Sequence, residues 1–174
     1  IDTMKKTLPD HVRFIVAGEG ELSDTARAYI QKRNLGSMVQ MVGGLRRSDV
    51  RTLLRATDIF VHPSYHSEGF PNAILEAASS GCYVIASDNA GTSEIIQNGQ
   101  TGTLIGQRNH TQLVRAIRWA LQNKRARAKV AIASRPYVQE NFSWESVAKQ
   151  FYGTLVRVAA RPMTHMLPTA IQNG

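Results

Sequence analysis

Short apolar runs rich in β-branched residues recur along the chain, each parted from the next by a segment of helical period. Residues 12–17 (VRFIVA), 38–42 (MVQMV), 58–62 (DIFVH), 82–86 (CYVIA) and 103–105 (TLI) are the candidate strands. They are apolar nearly throughout rather than alternating, which marks strands covered on both faces. The segments between them predict helices at about 21–33, from 48 to 56, at 72–80 and at 92–97. In the first of these, Leu22, Ala26, Tyr29 and Ile30 share one face. Ser48 is the expected N-cap of the second. Pro71 and Gly81 bracket the third, with proline at the start and glycine at the end. Strands alternating with helices predict an α/β fold, a Rossmann-like doubly wound parallel sheet. After Gly106 the pattern turns purely helical, over 111–140 and again over 144–158. Residues 1–160 then form the domain, with 161–174, containing Pro162 and Pro168, as a tail. Residues 1–8 (IDTMKKTL) read as the end of a helix with no strand before it, so the first strand of the sheet is expected outside these residues and the chain reads as a fragment.

Composition agrees with a folded domain: of 174 residues, 43% are hydrophobic and 20% charged, which excludes wholesale disorder. No run approaches the roughly 18 apolar residues of a membrane span, and no signal-peptide pattern opens the chain. The single cysteine, Cys82, excludes an internal disulfide and a multi-cysteine metal site. A cytoplasmic setting is the expectation. The net charge of +8 is uneven, because residues 106–174 hold eleven Lys and Arg against two acidic residues. Much of it falls on one helical stretch, at Arg115, Arg118, Lys124, Arg125, Arg127, Lys129 and Arg135. Such a run fits a solvated helix face, or a surface drawn to anionic lipid head groups or an acidic partner, which would place the protein peripherally at the inner membrane face. Nucleic acid is not expected as a partner, since no aromatic residues interleave with these cations.

The chemistry concentrates in residues 67–77 (SEGFPNAILEA), which follow a strand and run into a helix. That is the carboxyl edge of the sheet, where such folds bind ligands. Free amides at the helix start, with the positive end of its dipole, make an anion site suited to phosphate. Gly69 leaves room for close backbone approach. Glu68 precedes the helix and Glu76 stands about one turn inside it. Each carboxylate can accept two hydroxyl hydrogen bonds, as the vicinal diol of a ribose or a hexose offers. From spacing alone, two exposed, solvated carboxylates fit as well.

The segment EGFPNAILEA resembles the signature of the retaining GT-B glycosyltransferases of the large family 4. The order of other segments fits the same family: FIVAGEG at 14–20, the helix and strand over 42–63, EAASSGCYVIAS at 76–87, AGTSEII at 90–96, NGQTGTLI at 98–105, and Phe142-Ser143-Trp144. The likeness covers about 12–155. It implies one half of a GT-B fold, the C-terminal domain that binds a nucleotide-sugar donor, joined in the whole enzyme to an N-terminal acceptor domain. In the family, the glutamate matching Glu76 bonds the donor ribose and the one matching Glu68 approaches the sugar hydroxyls as the catalytic group. The turn Gly69-Phe70-Pro71 and the helix start at Asn72 contact sugar and diphosphate. Backbone at Gly44 and Leu45 lies near the base, Gly18 to Gly20 faces the interdomain cleft, and His66 is a candidate lining residue. The implied reaction is hexosyl transfer with retention to a glycan, lipid or small-molecule acceptor, with no metal and no cofactor beyond the donor substrate.

The chain departs from the family in three places. The Arg and Lys that neutralise the diphosphate cannot be assigned here, the acceptor domain is expected outside these residues, and Tyr83 stands where a proline is usual. The 174 residues alone are expected to be inactive. Two further readings stay open: a non-catalytic GT-B-like module for assembly or membrane docking, and a related sugar-nucleotide epimerase.

Other motifs are set aside. Gly18-x-Gly20 lacks a third glycine, since Ser23 occupies that place, so the dinucleotide fingerprint is incomplete. His62 and His66 are separated by Pro63 and do not share a helical face for a metal. No serine-hydrolase elbow occurs. Cys82, Trp119 and Trp144 are expected to be packing residues.

Overall fold

The computed structural model describes residues 1–66 and 69–160. Five strands and seven helices follow one another: β1 (Phe14–Ala17), α1 (Ser23–Lys32), β2 (Val39–Gly43), α2 (Arg47–Arg55), β3 (Ile59–His62), α3 (Asn72–Ser80), β4 (Tyr83–Ser87), α4 (Ala90–Ile95), β5 (Thr103–Ile105), α5 (His110–Gln122), α6 (Lys124–Phe142) and α7 (Trp144–Ala159). All strand pairs are parallel, as helical crossovers require. The strands form two ladders, β1-β2 and β3-β4-β5, with no hydrogen-bonded register between β1 and β3.

β4 shows why its run reads as apolar throughout. It lies between β3 and β5, and every residue from Tyr83 to Ser87 is buried. Because successive strand side chains point to opposite faces, β4 supplies both cores. Val84 and Ala86 join Leu54 of α2, Ile74, Ala77 and Ala78 of α3 and Val138 of α6 in one cluster. Tyr83 and Ile85 join Met4, Ile105, Ile117, Ala120 and Ala131 in the other, with Phe14 of β1 and Ile59 and Val61 of β3 packed against it. The sheet is thus sandwiched between helical layers, the expected doubly wound arrangement.

Several local expectations shift. Residues 1–8 form successive turns rather than a helix end, with Met4 buried at 1% exposure to anchor them. The N-cap of α2 is Arg46, and Ser48 sits inside the helix with its hydroxyl on Asp49 Oδ1. The helix expected over 111–140 is two helices that break at Asn123. Trp144 is 91% exposed and therefore is no packing residue, whereas Trp119 lies 5.8 Å from the Tyr83 ring. The tail at 161–174 falls outside the described residues.

Cys82 closes the turn between α3 and β4, where Gly81 takes the left-handed conformation at φ +89°. Its thiol is fully buried and donates to the Leu54 carbonyl at 3.2 Å. Burial, helped by the nearby Asp58 charge, pushes its pKa up from 9.0 to about 11. Since the thiolate is the reactive form, the native protein should resist iodoacetamide at pH 8 while the urea-unfolded chain is alkylated at once. Between pH 9 and 11 the folded state holds the thiol proton that the unfolded chain releases, so stability should fall with rising pH in that window. Rapid native alkylation at pH 8, followed by mass spectrometry, would contradict this account.

Candidate functional site

The site builds up from the carboxyl ends of β1, β2 and β3. Directly after β1 the chain turns at Gly18, whose φ of +127° favours glycine over any L side chain. The Gly18 amide donates to the Gly43 carbonyl at 2.8 Å. Beside it, the Gly44 amide donates to Oε1 of Glu19 at 3.1 Å. These two bonds clamp the turn after β1 to the turn after β2. They bring Gly18 next to Gly44 and Leu45, three positions that were candidates for separate reasons. A Cβ at Gly44 would come 3.2 Å from the Glu19 carboxylate, a tight contact that the Glu19 side chain would have to relieve by a small shift.

The helix α3 starts at Asn72, with Pro71 as its N-cap rather than its first helical residue. Pro71 is buried, and no side chain caps the helix. The first-turn amides of α3 therefore end in the dipole's positive pole without a capping side chain. Above the turn, a Cβ placed on Gly69 would meet nothing within 4 Å. That open space, beside uncapped amides, can receive an anion. Phe70 is half-exposed and meets Phe142 at 5.6 Å in a tilted pair, and Phe142 in turn meets Tyr137 at 5.9 Å. The end of α6 thus braces the turn that precedes α3.

The face of α3 that carries Ile74, Ala77 and Ala78 is buried, leaving Glu76 on the exposed side. Glu76 follows Asn72 by four and Ala73 by three, so it stands over the helix start. Glu68 lies outside the described residues. His66 is exposed and its ring meets Tyr65 at 4.3 Å. The Arg108 guanidinium lies 4.8 Å over the Tyr65 ring, a cation–π contact that joins the loop after β5 to the loop after β3.

The structure therefore brings Gly18, Gly44 and Leu45 into one group and sets Gly69 to Asn72 and Glu76 at one helix end. Glu19, Tyr65 and Arg108 were not singled out by sequence reasoning. The only sequence signal for Glu19 is its place between Gly18 and Gly20. Arg108 and Tyr65 are 43 positions apart and carry no common motif. Among the described residues no group of three or more His, Cys, Asp or Glu is arranged to hold a metal.

Comparison with known proteins places these features in context. Residues 1–136 match the model of the family described as glycosyl transferases group 1. The chain is 33% identical over 145 residues to a Mycobacterium tuberculosis glycogen synthase, covering 83% of this chain and 34% of the relative. It is 35% identical over 124 residues to a Campylobacter jejuni N,N'-diacetylbacillosaminyl-diphospho-undecaprenol α-1,3-N-acetylgalactosaminyltransferase, covering 71% of this chain and 32% of the relative. The crystal structure of Anabaena Alr3699/HepE in complex with UDP-glucose superposes with a TM-score of 0.77 at 23% identity, over 90% of this chain and 44% of that one. The chain spans about a third of the length of these two curated relatives.

Proposed function

Since the chain belongs to the glycosyl transferases group 1 family, we propose that it is the C-terminal, donor-binding half of a retaining GT-B enzyme of the family 4 type, one that moves a hexosyl group from a nucleotide sugar to a glycan, lipid or small-molecule acceptor. The observation that carries this reading is the uncapped amino end of α3, with open space over Gly69 and Glu76 on the exposed face beside it. The amides and helix dipole take the diphosphate, and Glu76 takes the ribose diol. The clamped turns at Gly18 and Gly44 form the adjoining wall, on the side of the base and the interdomain cleft. Support for the donor class comes from the UDP-glucose held by the HepE relative.

In this reading the bond between the anomeric carbon and the diphosphate oxygen breaks while the acceptor oxygen attacks on the same face. The acceptor proton passes to the departing diphosphate oxygen, so charge balances without a protein nucleophile. Glu68 orients the sugar hydroxyls. Cations that neutralise the diphosphate, and the acceptor site, come from the rest of the enzyme, and no step is routed through a metal. The cytoplasm, where nucleotide sugars are supplied, is the proposed compartment; among the described residues no helix is long and apolar enough to cross a membrane.

Calorimetric titration with UDP, GDP and ADP, on this chain and on the full-length protein, tests the reading. Saturable binding of one nucleotide supports it, and silence from the full-length protein would favour a non-catalytic module. In the full-length enzyme, Glu68→Ala should reduce transfer far more than it weakens donor binding. An equal loss of both would make Glu68 a simple binding residue.

A further inference from the structure

At the opposite end of α3 from the candidate donor site, three helices line an open recess of about 380 Å³. Arg51 and Arg55 of α2, Ser79 and Ser80 of α3, and Arg135 of α6 line it. Arg51 and Arg55 are four apart and so share a helix face, while α3 packs between α2 and α6. The small side chains at Ser79 and Ser80 leave the floor of the recess low between the arginine-bearing helices.

Three exposed arginines share this one concavity, and among the described residues none of them is neutralised by a carboxylate. Arg33, Arg46 and Arg127 each pair with an aspartate. Among the described residues, Arg51, Arg55 and Arg135 have neither a carboxylate nor a carbonyl partner, and no acidic side chain lines the recess. The carboxyl ends of α2 and α3 offset this charge only in part, since each contributes roughly half an elementary charge against three full cations. All three side chains are exposed, so water screens part of their repulsion, and an anion between them would relieve the remainder. Their planar forks match the oxygens of a phosphoryl group, and Ser80 adds a hydroxyl donor. Ser79 already donates to the Leu75 carbonyl at 2.6 Å and serves as floor.

We propose that this recess is a second anion site, separate from the donor site, that binds a phosphoryl dianion. Asn72 and Ser80 lie at the two ends of a helix that rises about 1.5 Å per residue, so the two sites are roughly 12 Å apart along α3. A single diphosphate bound at the amino end does not reach the recess.

The test follows inorganic phosphate by ³¹P line broadening at physiological salt; phosphate held at the donor site would persist in the recess variants below, whereas phosphate held in the recess would not. A parallel arm measures sedimentation with phosphatidylcholine vesicles containing phosphatidic acid. Arg55→Gln/Arg135→Gln should weaken the interaction about tenfold or more, from the loss of two charge-assisted contacts. Arg51→Gln alone should give a smaller loss in the same direction. The control Lys124→Gln/Arg125→Gln removes the same net charge elsewhere on α6 and should have no effect; thermal melting checks that every variant folds. Binding of phosphate that is lost in the recess variants assigns a soluble phosphorylated ligand, and binding of vesicles alone, lost in the same variants, assigns a lipid head group. No saturable binding in either arm, or an equal loss in the control, overturns the proposal.

Discussion

Glu76→Ala is expected to raise the dissociation constant for UDP by about ten- to a hundredfold, because a charged carboxylate that accepts diol hydroxyls contributes about 1.5–3 kcal/mol. The carboxylate is on the exposed face of α3, away from Ile74, Ala77 and Ala78, so removing it opens no cavity. Alanine is also the best helix former, which leaves the stability of α3 unchanged or slightly raised. Calorimetry and a thermal melt on the same sample separate the two effects. Unchanged affinity in a folded variant would remove Glu76 from the ribose and leave the diphosphate on the α3 amides as the principal anchor in this helix. Glu76→Gln sharpens the result, since it keeps the hydrogen-bonding shape but drops the charge, and should fall between wild type and alanine.

The largest effect on stability is expected at Ile85. It is fully buried at the centre of β4, whose backbone is bonded to β3 on one side and β5 on the other. Its side chain reaches the cluster formed by Met4, Ile105, Ile117, Ala120 and Ala131. Ile85→Ala should lower the unfolding free energy by about 3–4 kcal/mol, the sum of lost transfer energy and a cavity that a braced strand cannot collapse. Urea denaturation measures it directly. As a comparison, Leu22→Ala removes a side chain that is 72% exposed and should cost far less. If the two variants proved equally stable, the core would lie elsewhere than around β4.

Much of the architecture was legible because it is written in neighbouring residues. Continuous apolar runs such as 82–86 predict strands buried on both faces, and the structure buries all of Tyr83–Ser87. The proline and glycine that bracket 72–80 set the limits of α3 correctly for a local reason, the fixed φ of one and the left-handed turn of the other. Helical period over 111–140 did not reveal the break at Asn123, because apolar residues continue in phase on both sides of it. Ser48 is a good N-cap by type, yet Arg46 takes the place, and a cap is decided by backbone geometry two residues away. What the sequence could not show were the contacts made across the fold. The Glu19 clamp on Gly44, the Arg108 contact with Tyr65 and the meeting of Arg51, Arg55 and Arg135 each join residues from different elements. No local pattern encodes such a meeting, although each residue type is what the chemistry would require.

The separation of the strands into two ladders has a further consequence, for cooperativity. β1 and β2 are bonded only to each other, Ile15 and Val16 are about 40% exposed, and α1 buries no residue. Among the described residues, Phe14 is the side chain of this unit that packs against the buried cluster around Tyr83 and Ile85. Opening it breaks one ladder and uncovers Leu35 and Val39, whereas opening β4 breaks two ladders and both cores. The segment that carries Gly18 and Gly44 is therefore the less protected cooperative unit, able to loosen while β3, β4, β5 and α3 hold their places. The wall of the candidate site that faces the base is then the compliant one, and the wall that receives the diphosphate is the rigid one.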